Sequence, residues 1–357
     1  MTKVCFFSGD ITRNGGTERV AITLANELSR DVNFEISFLS LTESGEAPFF
    51  DIAPRIKKAY LSDKWINPGP GYLKIMGRLK KYLDKNKPDV IVDIDIVLDV
   101  LSVPVAKKMG IRVISWQHFS YMYEFSVTYR RIILKLFTKR ADKFVTLTRK
   151  GAEVMAKYLS KRDVLVIPNP MPEVTDIPPY GAKKKQLITI GHLIPIKGIE
   201  YIKEISLRLF PMHSDWRWLI IGDGEKEQEL REFAETNGIA ESLVIIGKAE
   251  DVGAYYRESA VYVMTSKTEG LPMTLLEAKA YSLPSVAFDI ATGPSDIILD
   301  GINGYLIEPF DTEDMINKLT RLMEEEGLRE DMSAHAYDNG DEFKLKNIVD
   351  RWKECFA

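Results

Sequence analysis

Residues 262–277 read YVMTSKTEGLPMTLLE, and their pattern decides the fold. The apolar, β-branched run 261–265 predicts a buried strand, the polar stretch 266–271 with its Gly predicts a turn, and Pro272 onward predicts a helix. Proline suits a first helical position, where the missing N–H costs nothing and φ is preset. A strand, a Gly-containing turn and an open helix N-terminus make an anion site, because the free N–H groups and the helix dipole point the same way.

Two carboxylates bracket that site. Glu269 falls in the turn, and Glu277 follows roughly 8 Å further along the helix at ~1.5 Å per residue. A sugar nucleotide calls for this layout: N–H groups on the diphosphate, one carboxylate on the sugar hydroxyls and another on the ribose hydroxyls. Singly, each acid has a plainer reading, Glu269 as a favourable charge at the helix dipole and Glu277 as a solvated helical acid.

The run EGLPMTLLEA from Glu269 resembles the Glu, seven residues, Glu signature of family 4 retaining glycosyltransferases. That resemblance implies a GT-B fold: α/β, with two Rossmann-like doubly wound domains facing a central cleft. It extends over the whole chain. GHLIPIKG at 191–198 resembles the family's Gly-Arg-Leu, spacer, Lys-Gly motif, with His192 where the family usually has Arg. Lys197 is then placed as a point-charge phosphate ligand, its plainer reading being a solvated Lys at a helix start. A neutral His donates one hydrogen bond where Arg offers a fork, so stabilisation of the leaving group is expected to be weaker or pH-dependent. ATGPSDIILDGINGYLIEP at 291–309 resembles another family run, with Gly293 and Ser295 opening a helix. Catalytic roles fall by resemblance to Glu269, His118 and Lys197. Donor contacts fall to Gly16, His192, Lys197, Lys248, Gly270, Leu271, Pro272, Met273, Thr274 and Glu277.

Outward from that stretch, strands alternate with helical stretches along both halves, which indicates βαβ units and parallel sheets. The first strand, KVCFFS, leads through GDITRNGGTER to a helix over 17–30. A Gly pair at such a turn admits close backbone approach to a ligand, or simply makes a tight turn. The missing GxGxxG pattern disfavours a dinucleotide enzyme. His118 closes RVISWQH at the carboxyl end of a strand, where open α/β sheets bind ligands. The family's His at this place approaches the donor sugar, often after a Ser-Glu pair, whereas Trp116 and Gln117 precede it here.

The chain has 357 residues, 45% of them hydrophobic, which suffices for two domains. The stretch 167–185 carries five prolines and little periodicity, as an interdomain linker does. The expected division is 1–170 for an acceptor domain, 171–185 for the linker and 186–342 for a nucleotide-sugar domain. By resemblance, a helix over 343–357 crosses back onto the first domain. Only Cys5 and Cys355 occur, which suits a reducing cytosol. No signal peptide is expected, and the most apolar run, 90–106, is broken by Asp93, Asp95 and Asp99. The Asp93-Ile94-Asp95 sequence sits in an apolar strand, so it reads as a strand end. No metal site and no cofactor besides the donor substrate are expected.

Charge is uneven along the chain. Residues 1–175 hold 28 Lys and Arg against 19 Asp and Glu, and the remainder 20 against 33, within a net charge of −4. A basic first half without a nucleic-acid motif suits an anionic lipid surface. Residues 121–150 interleave Arg130, Arg131, Lys135, Lys139 and Arg140 with apolar side chains, as a helix settling on a bilayer does. The same residues also suit a helix packed on the sheet with its cations solvated. Lys80, Lys81, Lys85 and Lys87 on a preceding helix add to the basic side.

These readings converge on a cytoplasmic enzyme, peripheral at the inner face of the cell membrane. It moves a hexose or N-acetylhexosamine from a UDP-sugar to a saccharide acceptor, lipid-linked, in bacterial surface-polysaccharide synthesis. The GPSDII wording at 293–298 resembles such UDP-hexose enzymes. The rival readings are a GT-B epimerase or phosphorylase and a catalytically silent nucleotide-sugar-binding protein.

Overall fold

The computed structural model describes residues 1–45, 47–64, 70–160 and 163–357. The chain forms two bodies: unit 1 comprises Met1–Asn169 with Leu345–Ala357, and unit 2 comprises Pro170–Lys344. The proline-rich stretch expected to stand between domains therefore belongs to unit 2 from Pro170 onward.

Unit 1 is built on β1 (Thr2–Ser8), β2 (Phe34–Thr42), β3 (Lys57–Ser62), β4 (Val90–Ile94), β5 (Arg112–Trp116), β6 (Lys143–Thr146) and β7 (Val164–Val166). They lie in the order β3-β2-β1-β4-β5-β6-β7, with every pairing parallel. β1 and β4 are buried through most or all of their length, as strands covered by helices on both faces must be. The order reverses between β1 and β4, which is the topological switch point of this sheet.

The last helix, Leu345–Phe356, completes the core of unit 1. Its Trp352 is fully buried against Trp116 and Phe6, with ring centroids 4.7 Å and 6.4 Å away. Lys143 Nζ donates to the carbonyl of Cys355 at 2.7 Å and Arg112 Nη1 to that of Ala357 at 3.1 Å. Two cations thus meet the negative end of the helix. Cys5 and Cys355 are both buried and free.

Unit 2 contains β8 (Gln186–Ile190), β9 (Arg217–Ile221), β10 (Leu243–Gly247), β11 (Val261–Met264), β12 (Ser285–Phe288) and β13 (Gly304–Ile307). Their order is β10-β9-β8-β11-β12-β13, again wholly parallel, with the switch point between β8 and β11. The β8–β11 ladder pairs Leu187 with Val261 and Ile188 with Tyr262. Where unit 2 begins and ends, Met171 N–H donates to the Phe343 carbonyl at 2.9 Å, so the two backbone crossings are tied side by side.

Candidate active site

A pocket opens at the switch point of unit 2, lined by Gly191, His192, Lys197, Tyr262, Thr265 and Thr274 among others. Its two walls are the loops after β8 and β11. Thr265 Oγ1 donates to the Lys197 carbonyl at 2.9 Å, and Lys267 N–H to the Ile196 carbonyl at 2.8 Å, so the loops are stitched together. Gly198 stands at φ +69°, and a Cβ there would meet the Thr265 carbonyl at 2.1 Å. Only glycine permits both the conformation and the approach.

Lys197 and Glu269 meet across this seam, Nζ to Oε1 2.5 Å, with their side chains 28% and 15% exposed. Thr292 Oγ1 donates to the Glu269 carbonyl at 2.5 Å, which holds the acid's backbone from behind. A cation and a carboxylate are thereby held side by side, each charge met by the other.

The helix that follows is Met273–Ala280, and Pro272 precedes it as the N-cap with φ −70° and ψ 113°. The sequence placed Pro272 inside the helix; the extended ψ puts it one residue before the start. Gly293, at φ +105°, lies close against this turn: a Cβ there would be 2.6 Å from Pro272 Cδ and 2.9 Å from the Gly270 carbonyl. Leu275 and Leu276 N–H both donate to the Pro272 carbonyl, so the N–H groups of Met273 and Thr274 precede the first intrahelical bond. The expected strand likewise ends at Met264, one residue short of Thr265.

Glu277 lies one turn beyond Thr274. Its Oε2 accepts from the Tyr256 hydroxyl at 3.0 Å, and that hydroxyl also reaches the Thr274 carbonyl at 2.9 Å. Tyr262 O–H donates to Thr274 Oγ1 at 2.6 Å. Burial, then the nearby Glu269 and Glu277, raises the Tyr262 pKa, so it is a neutral donor. Tyr256 stacks on Tyr281 at 5.1 Å with 7° between the rings. No sequence pattern links Tyr256 to Glu277, 21 positions away; only the fold does.

The other residues expected at the donor are more dispersed. The His192 side chain is 74% exposed and faces Asp223 across the pocket rim, Nδ1 to Oδ1 3.3 Å. Lys248 is exposed just after the edge strand β10, and it is not among the residues lining the pocket. Gly270 and Leu271 complete the loop in front of Pro272.

A buried cation braces this helix from its far end. Lys279 Nζ donates to Asn339 Oδ1 at 2.5 Å and to the Ala336 carbonyl, and Asn339 Nδ2 donates to the Ile297 carbonyl at 3.2 Å. Burial among neutral partners lowers the Lys279 pKa to about 8. The helices after β11 and β12 are thus linked through one asparagine, which the sequence did not reveal because the partners are 60 positions apart.

In unit 1, Gly16 is the first residue of the Gly16–Leu28 helix, capped by Gly15. His118 is buried beyond β5, 4.3 Å centroid to centroid from Trp116. Desolvation lowers its pKa to about 3, so it is a neutral imidazole, and its Nε2 has no partner. Arg130, expected on a basic outer face, is instead buried. It donates to Glu124 Oε2 at 2.6 Å and to Asp95 Oδ1 at 2.5 Å. Burial raises the Glu124 pKa to about 7 against the opposing pull of Arg130. Asp95 has φ +116° and accepts from Val97 N–H at 3.2 Å, so the ion pair holds a strained residue next to β4. Asp93, inside β4, and Asp99 form a buried carboxyl pair. Burial and then Asp99 raise the Asp93 pKa well above the carboxylate range.

A parallel α/β unit with the Lys197–Glu269 pair beside its switch point, joined in sequence to a second such unit, has the architecture of the GT-B glycosyltransferases. Family models agree: "Glycosyltransferase Family 4" matches residues 14–173 and "Glycosyl transferases group 1" matches residues 173–339. The chain belongs to this glycosyltransferase family. Among its relatives is the amylovoran biosynthesis glycosyltransferase AmsD of Erwinia amylovora, 29% identical, with 99% of each chain covered. Another, from Campylobacter jejuni, is the α-1,4-N-acetyl-D-galactosaminyltransferase named for a diNAcBac-PP-undecaprenol saccharide. It is 24% identical, with 100% of this chain and 99% of that one covered. The S. aureus TarM structure in complex with fondaparinux, α-GlcNAc-glycerol and UDP shares the fold. Its TM-score is 0.80 at 14% identity, covering 100% of both chains.

Proposed function

We propose that the enzyme transfers a hexose or N-acetylhexosamine from a UDP-sugar to a lipid-linked saccharide, with retention of configuration, in building a bacterial surface polysaccharide. The observation that carries this reading is the Lys197–Glu269 pair at the β8–β11 switch point, in front of an open helix N-terminus. Relatives named for amylovoran synthesis and for an undecaprenol-linked acceptor, and a neighbour holding UDP, support the substrate classes.

In this reading the diphosphate displaces the Lys197–Glu269 contact. Lys197 turns to the phosphates, and the N–H groups of Met273 and Thr274 take up the charge that develops as the glycosidic bond breaks. Glu269, released, accepts sugar hydroxyls, and Glu277 accepts those of the ribose while Tyr256 fixes its rotamer. The acceptor hydroxyl attacks from the leaving-group face and passes its proton to a departing phosphate oxygen. His118, neutral, is assigned to hydrogen bonding at the sugar. No step calls on a charge from any group other than these, and Gly16 supplies close backbone approach to the donor.

Thermal-shift titration with UDP-, GDP- and ADP-sugars tests the donor. A UDP-sugar should raise the Tm of the wild type, and Glu277→Ala and Lys197→Ala should each weaken the shift. Turnover of GDP-sugars with every UDP-sugar refused would overturn the assignment.

A further inference from the structure

One aromatic ring of unit 1 is open to solvent and yet held firmly from beneath. Phe119 is 44% exposed and follows His118 just beyond β5, at the end of the sheet where open α/β folds bind ligands. Its backbone is pinned on both sides. Gln117 N–H donates to the Val145 carbonyl at 2.8 Å, and the Ser120 carbonyl accepts from Glu124 N–H at 3.1 Å. Under the ring lies the Arg130 guanidinium, its Cζ 5.1 Å from the Phe119 centroid and 5.4 Å from that of Tyr123. The two rings themselves are 5.3 Å apart at 44°.

Arg130 is only 3% exposed, and Glu124 and Asp95 fix its guanidinium. An arginine buried with two carboxylates contributes little net stability, because desolvation offsets most of the attraction. What the cluster supplies is a floor that sets two rings in place at a surface. A ring fixed in advance loses no further freedom when a ligand covers it. We infer that the outer face of Phe119 is the platform on which a pyranose ring of the acceptor saccharide stacks through its C–H face. Chemistry selects this occupant. A cationic ligand is disfavoured, since the Arg130 charge already occupies the other face of the ring. A purely apolar ligand would meet polar neighbours on both sides, the buried His118 and Ser120. A pyranose suits both conditions: it is neutral, apolar on one face, and carries its hydroxyls round the edge. The buried Nε2 of His118, one residue before the ring, has no partner and can receive one of them. The inference rests on the transferase reading above: if His118 meets the sugar being transferred, the ring beside it falls to the sugar that receives it.

The test is saturation-transfer NMR on the full chain in the presence of UDP, with the methyl α-glycosides of glucose, galactose, N-acetylglucosamine and N-acetylgalactosamine as probes. Wild type should transfer saturation to the ring C–H protons of at least one glycoside. Phe119→Ala and Phe119→Leu should weaken binding of that glycoside about fivefold, and Phe119→Trp should retain it. Every variant should keep the wild-type Tm and the wild-type Tm shift with UDP, since the ring is exposed and lies outside unit 2. Wild type that transfers saturation to none of the glycosides would overturn the inference. So would full binding by Phe119→Ala, or by Phe119→Leu, which would reduce the contact to bare apolar burial. Loss of the UDP shift in Phe119→Ala alone would move the ring to the nucleotide and overturn it as well. A wild type without any UDP shift would count against the donor assignment alone.

Discussion

The two units place charge at the carboxyl ends of their strands in opposite ways. In unit 2, Lys197 and Glu269 form a part-exposed pair beside the switch point, and Glu277 accepts from the Tyr256 hydroxyl in the first turns of the helix. In unit 1, Arg130, Glu124 and Asp95 are drawn inward, and Asp93 and Asp99 are wholly buried. The first arrangement can exchange its partner for a ligand, because each group lies within reach of solvent. The second cannot, and its visible effect is to hold irregular backbone: Asp95 at positive φ, and the helical segments that follow β4 and β5. Burial, more than residue type, separates a charge that recognises a ligand from one that shapes a loop.

Arg130→Met is the hardest test of that contrast. Removing the cation strands two carboxylates in unit 1, and the expected loss is about 3–5 kcal/mol of unfolding free energy, read by urea denaturation. A variant with unchanged stability and no activity would reverse the assignment, making Arg130 a substrate group. Lys197→Ala should do the converse, lowering kcat by ~10²–10³-fold while unfolding stays within about 1 kcal/mol of wild type.

Asp93→Asn sharpens the description of unit 1 through pH. A carboxyl whose folded pKa is raised contributes stability that is fully present below the unfolded value near 4 and is lost as pH rises through the folded value. Burial also raises the pKa of its partner Asp99. The asparagine variant does not titrate, so its stability relative to wild type should increase between pH 4 and pH 7 in melts recorded side by side. A flat difference would mean that Asp93 is ionised in the fold. The smallest effect belongs to Lys185→Ala. This breaks an exposed pair with Asp215, at 2.6 Å, and should move the unfolding free energy by less than about 0.5 kcal/mol.

The sequence was most informative where one local segment carries both the structure and the chemistry. The apolar runs of β4 and β11 announce buried parallel strands, and the spacing from Glu269 to Glu277 survives folding because one turn and one helix contain both. Legibility falls where the partner comes from another segment. Arg130 looks like any cation on an amphipathic helix until Asp95, 35 positions earlier, is folded beside it. Lys279 looks like a solvated lysine until Asn339 arrives. The same limit touches Pro272: proline reads as a helical first residue, and nothing local shows that Gly293, beyond 20 intervening residues, packs against it. Composition does show the basic half of the chain; it does not show which cations face outward.

The packing of Trp352 against Trp116 and Phe6 bears on synthesis as well as stability. Unit 2 is one uninterrupted segment, complete once Lys344 has left the ribosome, whereas unit 1 must wait for the helix Leu345–Phe356. The body translated first is therefore the last to close. Its sheet stands with an unfilled aromatic socket through the whole time that unit 2 is being made, an interval in which a nascent-chain chaperone has most to protect.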